Sequence, residues 1–357
     1  MQLINLFDYE AAAERRMPPS AWGYLTGGAN DEVTLRENRR AWDDVSVLFR
    51  TMVDVSERSL ASTVLGTPIA APVLVAPTAM QRLAHADGEK ATARAAAAAG
   101  TIMIVSTTAT TSLEDVRAAS PAPQWFQLYV YRDRGVTREL LERVKHVRYQ
   151  AVVLTVDAPM IGRRERDIRT GFSLPPHLQI ANAARAGAGH VPNATAHDSG
   201  LELHFRGLHD PAVTHKDIQW IRDICGLPVV VKGVVRVDDA QRAVEAGADA
   251  IVVSNHGGRQ LDTAVATARV LPRIVDAVGH RAEVYVDGGV RRGTDVLKAL
   301  AMGARAVLLG RPVLWGLAVG GEQGVHDVLQ LLYNELDLAM ALAGCRSIAE
   351  ITPDLIA

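Results

Sequence analysis

Residues 251–262 read IVVSNHGGRQLD, and the interpretation of the whole chain starts from this stretch. Its apolar beginning predicts a short buried strand, and a polar, glycine-rich loop follows at once. Parallel α/β folds place their chemistry in loops at the carboxyl ends of buried strands. His256 is therefore a candidate base and Arg259 a candidate anion binder, while Gly257 and Gly258 predict that the backbone approaches a ligand closely. An ordinary loop with a solvated histidine and arginine is the alternative.

The same pattern of a short apolar strand followed by polar residues or glycine occurs eight times along the chain. The predicted strands end at Ala76, Val105, Leu128, Leu154, Val231, Val253, Val286 and Leu309. Several of them follow a helical segment that a glycine closes. Eight such units predict an α/β fold of the TIM (β/α)8 barrel type, with the polar groups on one rim. An open doubly wound sheet is the runner-up, but no G-x-G-x-x-G follows the first strand.

The length of 357 residues fits one barrel domain with additions. We expect a single domain over 1–357, preceded within it by an N-terminal helical segment at 1–68. A second addition, at 160–215, follows the fourth strand and is rich in Ala, Gly and Asn without clear periodicity. It predicts a mobile lid or a partly disordered loop. The histidines of this region match no metal-ligand spacing and are interpreted as solvated: His190, His197, His204, His209 and His215.

Composition excludes several classes of function. The formal net charge of −2 provides no basic excess for a nucleic-acid partner. No run of about 18 apolar residues predicts a membrane span, and the N-terminus has no signal-peptide pattern. The chain has two cysteines, Cys225 and Cys345, outside any C-x-x-C pair, which disfavours a zinc or dithiol site. We therefore expect a cytoplasmic protein without a metal, a membrane partner or a nucleic-acid partner.

The loops after the seventh and eighth strands predict a phosphate site. One reads VDGGVRRGTD and places Gly288, Gly289 and Arg291 before a helix; the other places Gly310 and Arg311 before a second helix. Barrels commonly hold a phosphate at these two loops, where backbone amides and arginine suit a dianion. The sequence therefore predicts a phosphorylated substrate or cofactor, with tight turns and surface arginines as the alternative.

These motifs together resemble the FMN-dependent L-2-hydroxy acid oxidase and dehydrogenase family, which includes glycolate oxidase, lactate oxidase, mandelate dehydrogenase and hydroxymandelate oxidase. The resemblance rests on SNHGGRQLD and on APTAM, FQLYV, LTVDAP, GRRERD, VKGV, DGGVRRGTDVLKALAMGA and GRP, which occur in this order. It covers nearly the whole chain, from Tyr24 to residues 344–347. It implies a barrel that holds FMN and, in its assembled form, a homotetramer.

The resemblance also implies a role for individual residues. His256 is the expected base, Asp157 the carboxylate that orients it, and Tyr129 a catalytic hydroxyl. The expected substrate-binding residues are Tyr24, Tyr129, Arg164, His256 and Arg259. Lys232 is the expected cation beside the flavin. The remaining expected FMN contacts are Ala76, Pro77, Thr78, Ala79, Ser106, Gln127, Thr155, Ser254, Asp287, Gly288, Gly289, Arg291, Gly310 and Arg311. The implied reaction oxidises an (S)-2-hydroxy acid to the 2-oxo acid.

Thr108 gives a prediction about the substrate. Glycolate enzymes of the family carry tryptophan at this position, so a threonine leaves room for a bulky, aromatic acid such as mandelate or 4-hydroxymandelate. Met160, Ile161 or a side chain of the insertion filling that space is the alternative, and it would favour glycolate or lactate. The polar insertion favours oxygen as acceptor, with hydrogen peroxide released, over a membrane dehydrogenase. Another FMN barrel, such as an isopentenyl-diphosphate isomerase, and a non-catalytic flavin-binding protein are the remaining alternatives.

Overall fold

The strands of the chain form a closed parallel barrel. The computed structural model describes residues 2–184, 187, 189–195 and 198–357. Two strands form a hairpin, β1 and β2, and the other eight close the barrel in the order β10-β3-β4-β5-β6-β7-β8-β9. The bounds are β1 Ser62–Val64, β2 Thr67–Ile69, β3 Val73–Val75, β4 Met103–Ser106, β5 Gln124–Leu128, β6 Val152–Thr155, β7 Val229–Val234, β8 Ala250–Val253, β9 Glu283–Val286 and β10 Ala306–Leu309. The predicted barrel is confirmed, and the open sheet is wrong.

Helices surround the barrel and cover the outer face of every strand. Their bounds are α1 Leu6–Glu14, α2 Pro19–Thr26, α3 Val33–Asp43, α4 Gly88–Ala98, α5 Leu113–Ala119, α6 Arg134–His146, α7 Glu165–Arg169, α8 Gly200–Leu208, α9 Lys216–Cys225, α10 Val237–Glu245, α11 Thr267–Val278, α12 Gly293–Ala301 and α13 Arg311–Ala343. Short 3₁₀ turns lie at Gln81–Leu83, Ile348–Glu350 and Pro353–Leu355. Helix α13 is kinked at Gly320 and Gly321, which have non-helical backbone angles.

The strands alternate between two apolar cores. In β3, Val73 and Val75 pack outward against the helices, whereas Leu74 packs inside the barrel with Ile104 and Trp125. Strands that are buried on both faces require such continuously apolar sequences, which is why their ends could be located from the sequence.

The hairpin β1–β2 closes the amino-terminal end of the barrel. Val64 and Ile69 join the apolar interior, and the backbone amide of Leu65 donates to the carboxylate of Glu283 at the start of β9. The predicted N-terminal helical segment thus contains α1–α3 and then this hairpin, which the apolar pattern did not predict. The carboxyl ends of the strands stay open to a cavity.

The insertion between β6 and α9 contains ordered structure in its described part. Helix α8 was not predicted from the sequence. Its capping signal is Ser199, whose hydroxyl accepts the backbone amide of Glu202 in an S-x-x-E pattern. Ala181 donates its backbone amide to the carbonyl of Ala109, which ties the middle of the insertion to the barrel. That the insertion moves as a lid stays a prediction.

The interpretation of the insertion histidines was partly wrong. His204 and His209 are buried, at 3% and 4% exposed, because α8 directs one face inward. His190 and His215 are exposed as expected, and His197 lies outside the described residues. Among the described residues, no group of histidine, cysteine and acidic side chains could hold a metal ion.

Two further features bear on the expectations from composition. Cys225 and Cys345 are both buried and unpaired with each other. Across the part of the chain that the structure describes, no helix is both long and apolar enough to cross a membrane.

Candidate active site

One cavity opens at the carboxyl ends of the barrel strands, with about 1060 Å³ of empty space out to its open mouth. All the residues that the sequence analysis assigned to catalysis, substrate or cofactor line it, except Asp157 and Ser254. These two lie directly behind the lining, in hydrogen-bond contact with it. Strands and loops more than 200 residues apart therefore converge on one site, as the barrel topology requires.

His256 and Asp157 form a hydrogen-bonded pair at the centre of the cavity. Nδ1 of His256 lies 2.8 Å from Oδ1 of Asp157, and Nε2 lies 3.4 Å from the hydroxyl of Tyr129. A carboxylate partner at Nδ1 favours the tautomer with its proton there, so Nε2 has its lone pair directed at the cavity. The backbone of His256 has φ of 60°. The bend that turns the ring inward therefore requires the left-handed region, which is uncommon for residues other than glycine.

The burial of this pair sets its protonation. Burial lowers the pKa of His256 below its usual 6.5, although Asp157 opposes the shift by its charge and hydrogen bond. Burial raises the pKa of Asp157, but the charge and hydrogen bond of His256 and the charge of Lys232 outweigh it, so the pKa lies below 3.8. At neutral pH the imidazole is thus neutral and the carboxylate ionised. A neutral imidazole beside a fixed carboxylate can accept a proton.

Gly233 makes room for Asp157. It has φ of 110°, and a Cβ at this position would lie 2.6 Å from Cγ of Asp157. The register of β7 against β8 shifts between Lys232 and Val234, on either side of this glycine. The irregular strand end therefore places the carboxylate behind His256, which a regular strand with a side chain at this position would prevent.

Two arginines face the cavity near His256. Arg164 is 6% exposed and donates to the carbonyl of Arg259 and to Oε1 of Gln260, each at 3.4 Å. Arg259 donates to the carbonyls of Tyr24 at 2.7 Å and Gly27 at 3.0 Å. Burial and the charge of Arg164 lower the pKa of Arg259 to about 10. In the described chain neither guanidinium has an ion pair with a carboxylate, so the pair can bind an external one.

Tyr24 lies beside the arginines. Its ring stacks on Phe172 of the insertion at 4.3 Å, and the guanidinium carbon of Arg259 lies 5.1 Å from the ring centre. Burial raises the pKa of Tyr24, while Arg259 and Arg164 oppose the shift. The hydroxyl therefore stays protonated and can act as a hydrogen-bond donor. Tyr24 is thus packed against Phe172 and also lines the cavity.

Lys232 forms a second buried charged pair. Its ammonium lies 3.1 Å from Oδ2 of Asp287 and donates to the hydroxyl of Ser254 at 2.9 Å. The same Ser254 oxygen accepts the backbone amide of His256. Burial by itself lowers the pKa of Lys232. The negative charges of Asp287 and Asp157 raise that pKa by more than burial lowers it, so it lies above its usual 10.5. A permanent positive charge therefore faces the middle of the cavity.

The far end of the cavity combines glycine loops with two arginines. Burial lowers the pKa of Arg291 to about 10 and lowers that of Arg311 well below its usual value. Arg311 donates to the carbonyls of Thr26, Gly257 and Gly27 at 2.9–3.0 Å. Neither arginine is ion-paired with a carboxylate in the described residues. Two desolvated guanidiniums beside the backbone of residues 288–289 fit a phosphate dianion.

Several buried polar atoms of the cavity lining have no hydrogen-bond partner among the described residues. They are Nε2 of Gln127, Oγ1 of Thr155 and Oδ1 of Asp287. Buried donors and acceptors are rarely left unpaired in folded proteins, because their desolvation is costly. All three residues line the cavity, which indicates a polar ligand that satisfies these atoms.

Apolar side chains also line the cavity. Ile161, Leu201 and Phe205 are among them, the last two from α8, and Thr108 lines the same cavity. Met160 does not, since it points outward and is 46% exposed. Within the described residues, Thr108 forms hydrogen bonds with the hydroxyl of Ser106 and accepts one from the backbone amide of Met80. The insertion thus supplies apolar side chains to the cavity that Thr108 also lines.

Three features of the site were not predicted from the sequence. Leu201 and Phe205 were not predicted because helix α8 was not predicted. The capping signal and the apolar spacing of this helix could have revealed both residues. Gln260 donates to the carbonyls of Asp157 and Met160 and so joins two rim loops. The prediction for Gly258 was wrong: a Cβ there would lie 2.6 Å from the backbone nitrogen of Leu35, so the glycine accommodates helix α3. Gly257 does line the cavity.

Comparison with known proteins identifies relatives over the whole chain. The model of the FMN-dependent dehydrogenase family matches residues 13–357. The chain is 53% identical to an L-lactate oxidase of Nostoc sp., covering 98% of this chain and 96% of that protein. It is 49% identical to glycolate oxidase 1 of Zea mays, covering 98% and 95%. A structure of a mandelate oxidase with (S)-4-hydroxymandelic acid superposes with a TM-score of 0.94 at 42% identity, covering 99% of this chain and 98% of that one.

Proposed function

The chain belongs to the FMN-dependent dehydrogenase family, among 2-hydroxy acid oxidases, and from this membership we propose the substrate, the acceptor and the residue roles. The substrate is an (S)-2-hydroxy acid with an aromatic side chain, such as mandelate or 4-hydroxymandelate. The product is the 2-oxo acid, and the electrons pass to oxygen with release of hydrogen peroxide. The observation that carries the proposal is one cavity lined by a neutral histidine base, by two arginines without a carboxylate partner among the described residues, and by Thr108 with the apolar Leu201 and Phe205.

The cavity fits FMN, as judged from its unpaired groups. The unpaired amide of Gln127 and hydroxyl of Thr155 suit a polar heterocycle, and the desolvated arginines suit its phosphate. In this proposal the ring system is held by Ala76, Pro77, Thr78, Ala79, Ser106, Gln127, Thr155, Lys232 and Ser254. The ribityl chain and phosphate are held by Asp287, Gly288, Gly289, Arg291, Gly310 and Arg311. When bound, FMN supplies the acceptor for the two electrons that leave the substrate.

His256 acts as the base in this scheme. Its Nε2 accepts a proton from the 2-hydroxy acid, and the ring becomes an imidazolium between Asp157 and the substrate. Asp157 stabilises that cation, since its carboxylate is 2.8 Å from Nδ1 and is already ionised. Tyr129 directs its hydroxyl at the same Nε2 and is in reach of the substrate hydroxyl. Burial raises the pKa of Tyr129, so it donates a hydrogen bond throughout.

The arginine pair orients the acid. Burial and the repulsion between the guanidiniums of Arg164 and Arg259 lower the pKa of Arg259. A carboxylate bound between the two guanidiniums would offset this repulsion. Tyr24, beside Arg259, supplies a further donor. With its carboxylate fixed there and its hydroxyl at His256, an (S)-2-hydroxy acid directs its side chain to the wall formed by Thr108, Leu201 and Phe205.

Oxygen consumption with three acids tests the proposed substrate. We expect kcat/KM for (S)-mandelate to exceed that for (S)-lactate and glycolate by about tenfold or more, as a filled apolar pocket provides. Hydrogen peroxide should form in equal amount to the oxo acid. A kcat/KM for glycolate far above that for mandelate would overturn the aromatic assignment while leaving the reaction class in place.

A short-chain substrate is the second candidate, and a specific observation favours it. Leu201 and Phe205 add apolar bulk to the cavity that Thr108 lines, and one relative with 53% identity is an L-lactate oxidase. If these side chains fill the space, (S)-lactate gives the highest kcat/KM in the same assay. The two candidates share every catalytic residue and differ only at this wall.

We also propose that the enzyme is a cytoplasmic homotetramer built from one barrel domain per chain. The tetramer follows from the resemblance in sequence, and the cytoplasm suits two cysteines that are buried and unlinked. Light scattering of the purified holoenzyme tests the assembly: a mass four times that of the chain supports it, and a monomer at all concentrations contradicts it.

A further inference from the structure

A series of stacked rings connects the insertion to Tyr129. Phe205 meets the Tyr129 ring edge to face at 5.0 Å, and His209 meets it likewise at 5.4 Å. His209 lies flat against Phe205 at 3.8 Å and against Tyr131 at 5.0 Å. Of these residues, Tyr129 and Phe205 line the cavity, whereas His209 does not. We call Tyr129, Tyr131, Phe205 and His209 the ring cluster.

The backbone fastens the two sides of the ring cluster together. The amide of Arg132 donates to the carbonyl of Leu208 at 2.8 Å, and that of Asp210 donates to the carbonyl of Val130 at 2.9 Å. Arg134 adds ion pairs to Asp210 and Asp217, each at 2.7 Å. The end of α8 and the loop after β5 are therefore held as one unit, and His209 lies at their junction.

The imidazole of His209 is an unexpected choice for this position. Both of its ring nitrogens are buried and have no hydrogen-bond partner of full geometry within the residues described, although the backbone of Phe205 comes close enough to be the smallest of the influences on the pKa of the ring. A phenylalanine would make the same stacking contacts without leaving two polar atoms desolvated. A buried, unpaired polar group in an otherwise aromatic stack calls for a functional explanation.

We infer that His209 is a positioning residue whose neutral ring holds Tyr129 and Phe205 against the substrate, and whose protonation releases them. The inference rests on the proposed function, in which Tyr129 contacts the substrate and His256. It makes substrate binding sensitive to acid at two separate places, the base itself and the ring cluster. No contact joins His209 to His256 directly, so the effect passes through Tyr129.

The sign of the pH effect follows from burial. Burial, and then the charge of His204, lower the pKa of His209 to about 3. The titratable groups that face His209 are His204, at 6.1 Å between ring centres, Tyr129 and Tyr131. The neighbouring carboxylate of Asp210 forms an ion pair with Arg134. A released His209 would titrate near the ordinary value of about 6.5. As the pH falls from the released to the packed pKa, protons bind the released ring and not the packed one. The equilibrium ratio of packed to released protein therefore falls about tenfold for each pH unit.

The test compares pH profiles of kcat/KM for wild type, His209→Phe and His209→Leu holoenzymes, using the best of the three acids above. For wild type, the fall of kcat/KM at low pH should be steeper than a single protonation gives, because both His256 and His209 in the ring cluster take up a proton. His209→Phe should keep kcat/KM within about twofold at pH 7.5 and give a shallower limb at lower pH. His209→Leu, which lacks a planar ring, should raise KM about tenfold at every pH with kcat changed less. FMN content and the melting temperature establish that each variant is folded.

Coincident acid limbs for wild type and His209→Phe would overturn the inference, as would an unchanged KM in His209→Leu. If His209→Phe does not retain FMN, His209→Leu decides by itself, because it also lacks the titrating ring. Failure of the proposed function would give a different result: wild type would consume no oxygen with any 2-hydroxy acid at any pH. That result would remove the inference together with its premise.

Discussion

The strand-end loops and the insertion contribute to the same cavity in different ways. The loops after β6 and β8 hold Asp157 and His256 in a hydrogen bond, and Lys232, near the end of β7, forms an ion pair with Asp287. The insertion contributes Arg164 to the proposed arginine pair, and its helix α8 contributes Leu201 and Phe205, which present apolar surface to the cavity. In the proposed function the barrel rim supplies the proton transfer, and helix α8 shapes the space for the substrate side chain. Mutations in the two regions should separate rate from specificity.

The largest effect is expected for His256→Ala. Loss of the proposed base should lower the rate of flavin reduction about 10³-fold, within the range for general-base catalysis, while FMN stays bound. Rapid-mixing absorbance under anaerobic conditions measures that rate. His215→Ala, at an exposed histidine of the insertion, is the matched control and should behave as wild type. Substantial turnover by His256→Ala would remove the histidine from the mechanism.

The next effect is expected for Asp157→Asn, at about a hundredfold in kcat, because the imidazolium loses its carboxylate partner. The charge of Asp157 raises the pKa of His256. Without it that pKa falls further, so the acid limb of kcat/KM, below which the ring is protonated and inactive, should move to lower pH. A pH series of initial rates measures both changes. Asp223→Asn, at an exposed carboxylate, should change neither. An acid limb that moves upward would contradict the pairing.

Much of this rim could be predicted from the sequence, and the reason is physical. A parallel barrel needs short strands that are apolar on both faces, so their ends stand out, and the polar residues after them must share one rim. His256 and Asp157 were therefore placed on one rim although 98 residues separate them in the chain, whereas their pairing was implied by the family resemblance. The apolar stretches also located seven strand ends to within one residue; β7 continues three residues further, through its bulge.

The rest depended on contacts that a single sequence does not reveal. Gly258 faces the backbone of Leu35, more than 200 residues away, so its surroundings could not be read from its own loop. The direction of His204 and His209 depends on which face of α8 packs inward. An Ala-, Gly- and Asn-rich flank concealed that helix, although its Ser199–Glu202 cap was present in the sequence. Where packing between distant elements decides burial, local pattern is insufficient.

A smaller effect is expected for Thr108→Trp, and it should alter specificity more than rate. An indole at this position would occupy the space assigned to an aromatic substrate, so kcat/KM for mandelate should fall about tenfold to a hundredfold relative to glycolate. Thr108→Ser keeps the hydroxyl beside Ser106 and serves as the control. Steady-state oxygen uptake with both acids measures the ratio. An unchanged ratio would place the substrate side chain elsewhere in the cavity.

The smallest effect is expected for Phe205→Leu in the insertion. Loss of the ring contact with Tyr129 should raise KM for mandelate about threefold to tenfold while kcat stays within about twofold. Initial rates over a range of mandelate concentrations separate the two constants. Leu338→Phe, at an exposed position of α13 that is not among the cavity-lining residues, should leave both unchanged. A fall in kcat as large as that of Asp157→Asn would erase the distinction between rim and insertion.

The central claim is tested most directly by the visible spectrum of the purified wild-type protein without oxygen, before and after (S)-mandelate is added. The account predicts a flavin band that bleaches on addition of the acid and returns when air is admitted, and a band in FMN-loaded His256→Ala that bleaches far more slowly. A wild-type flavin band that mandelate, lactate and glycolate all leave unchanged would contradict the account. So would a His256→Ala protein that bleaches as fast as wild type.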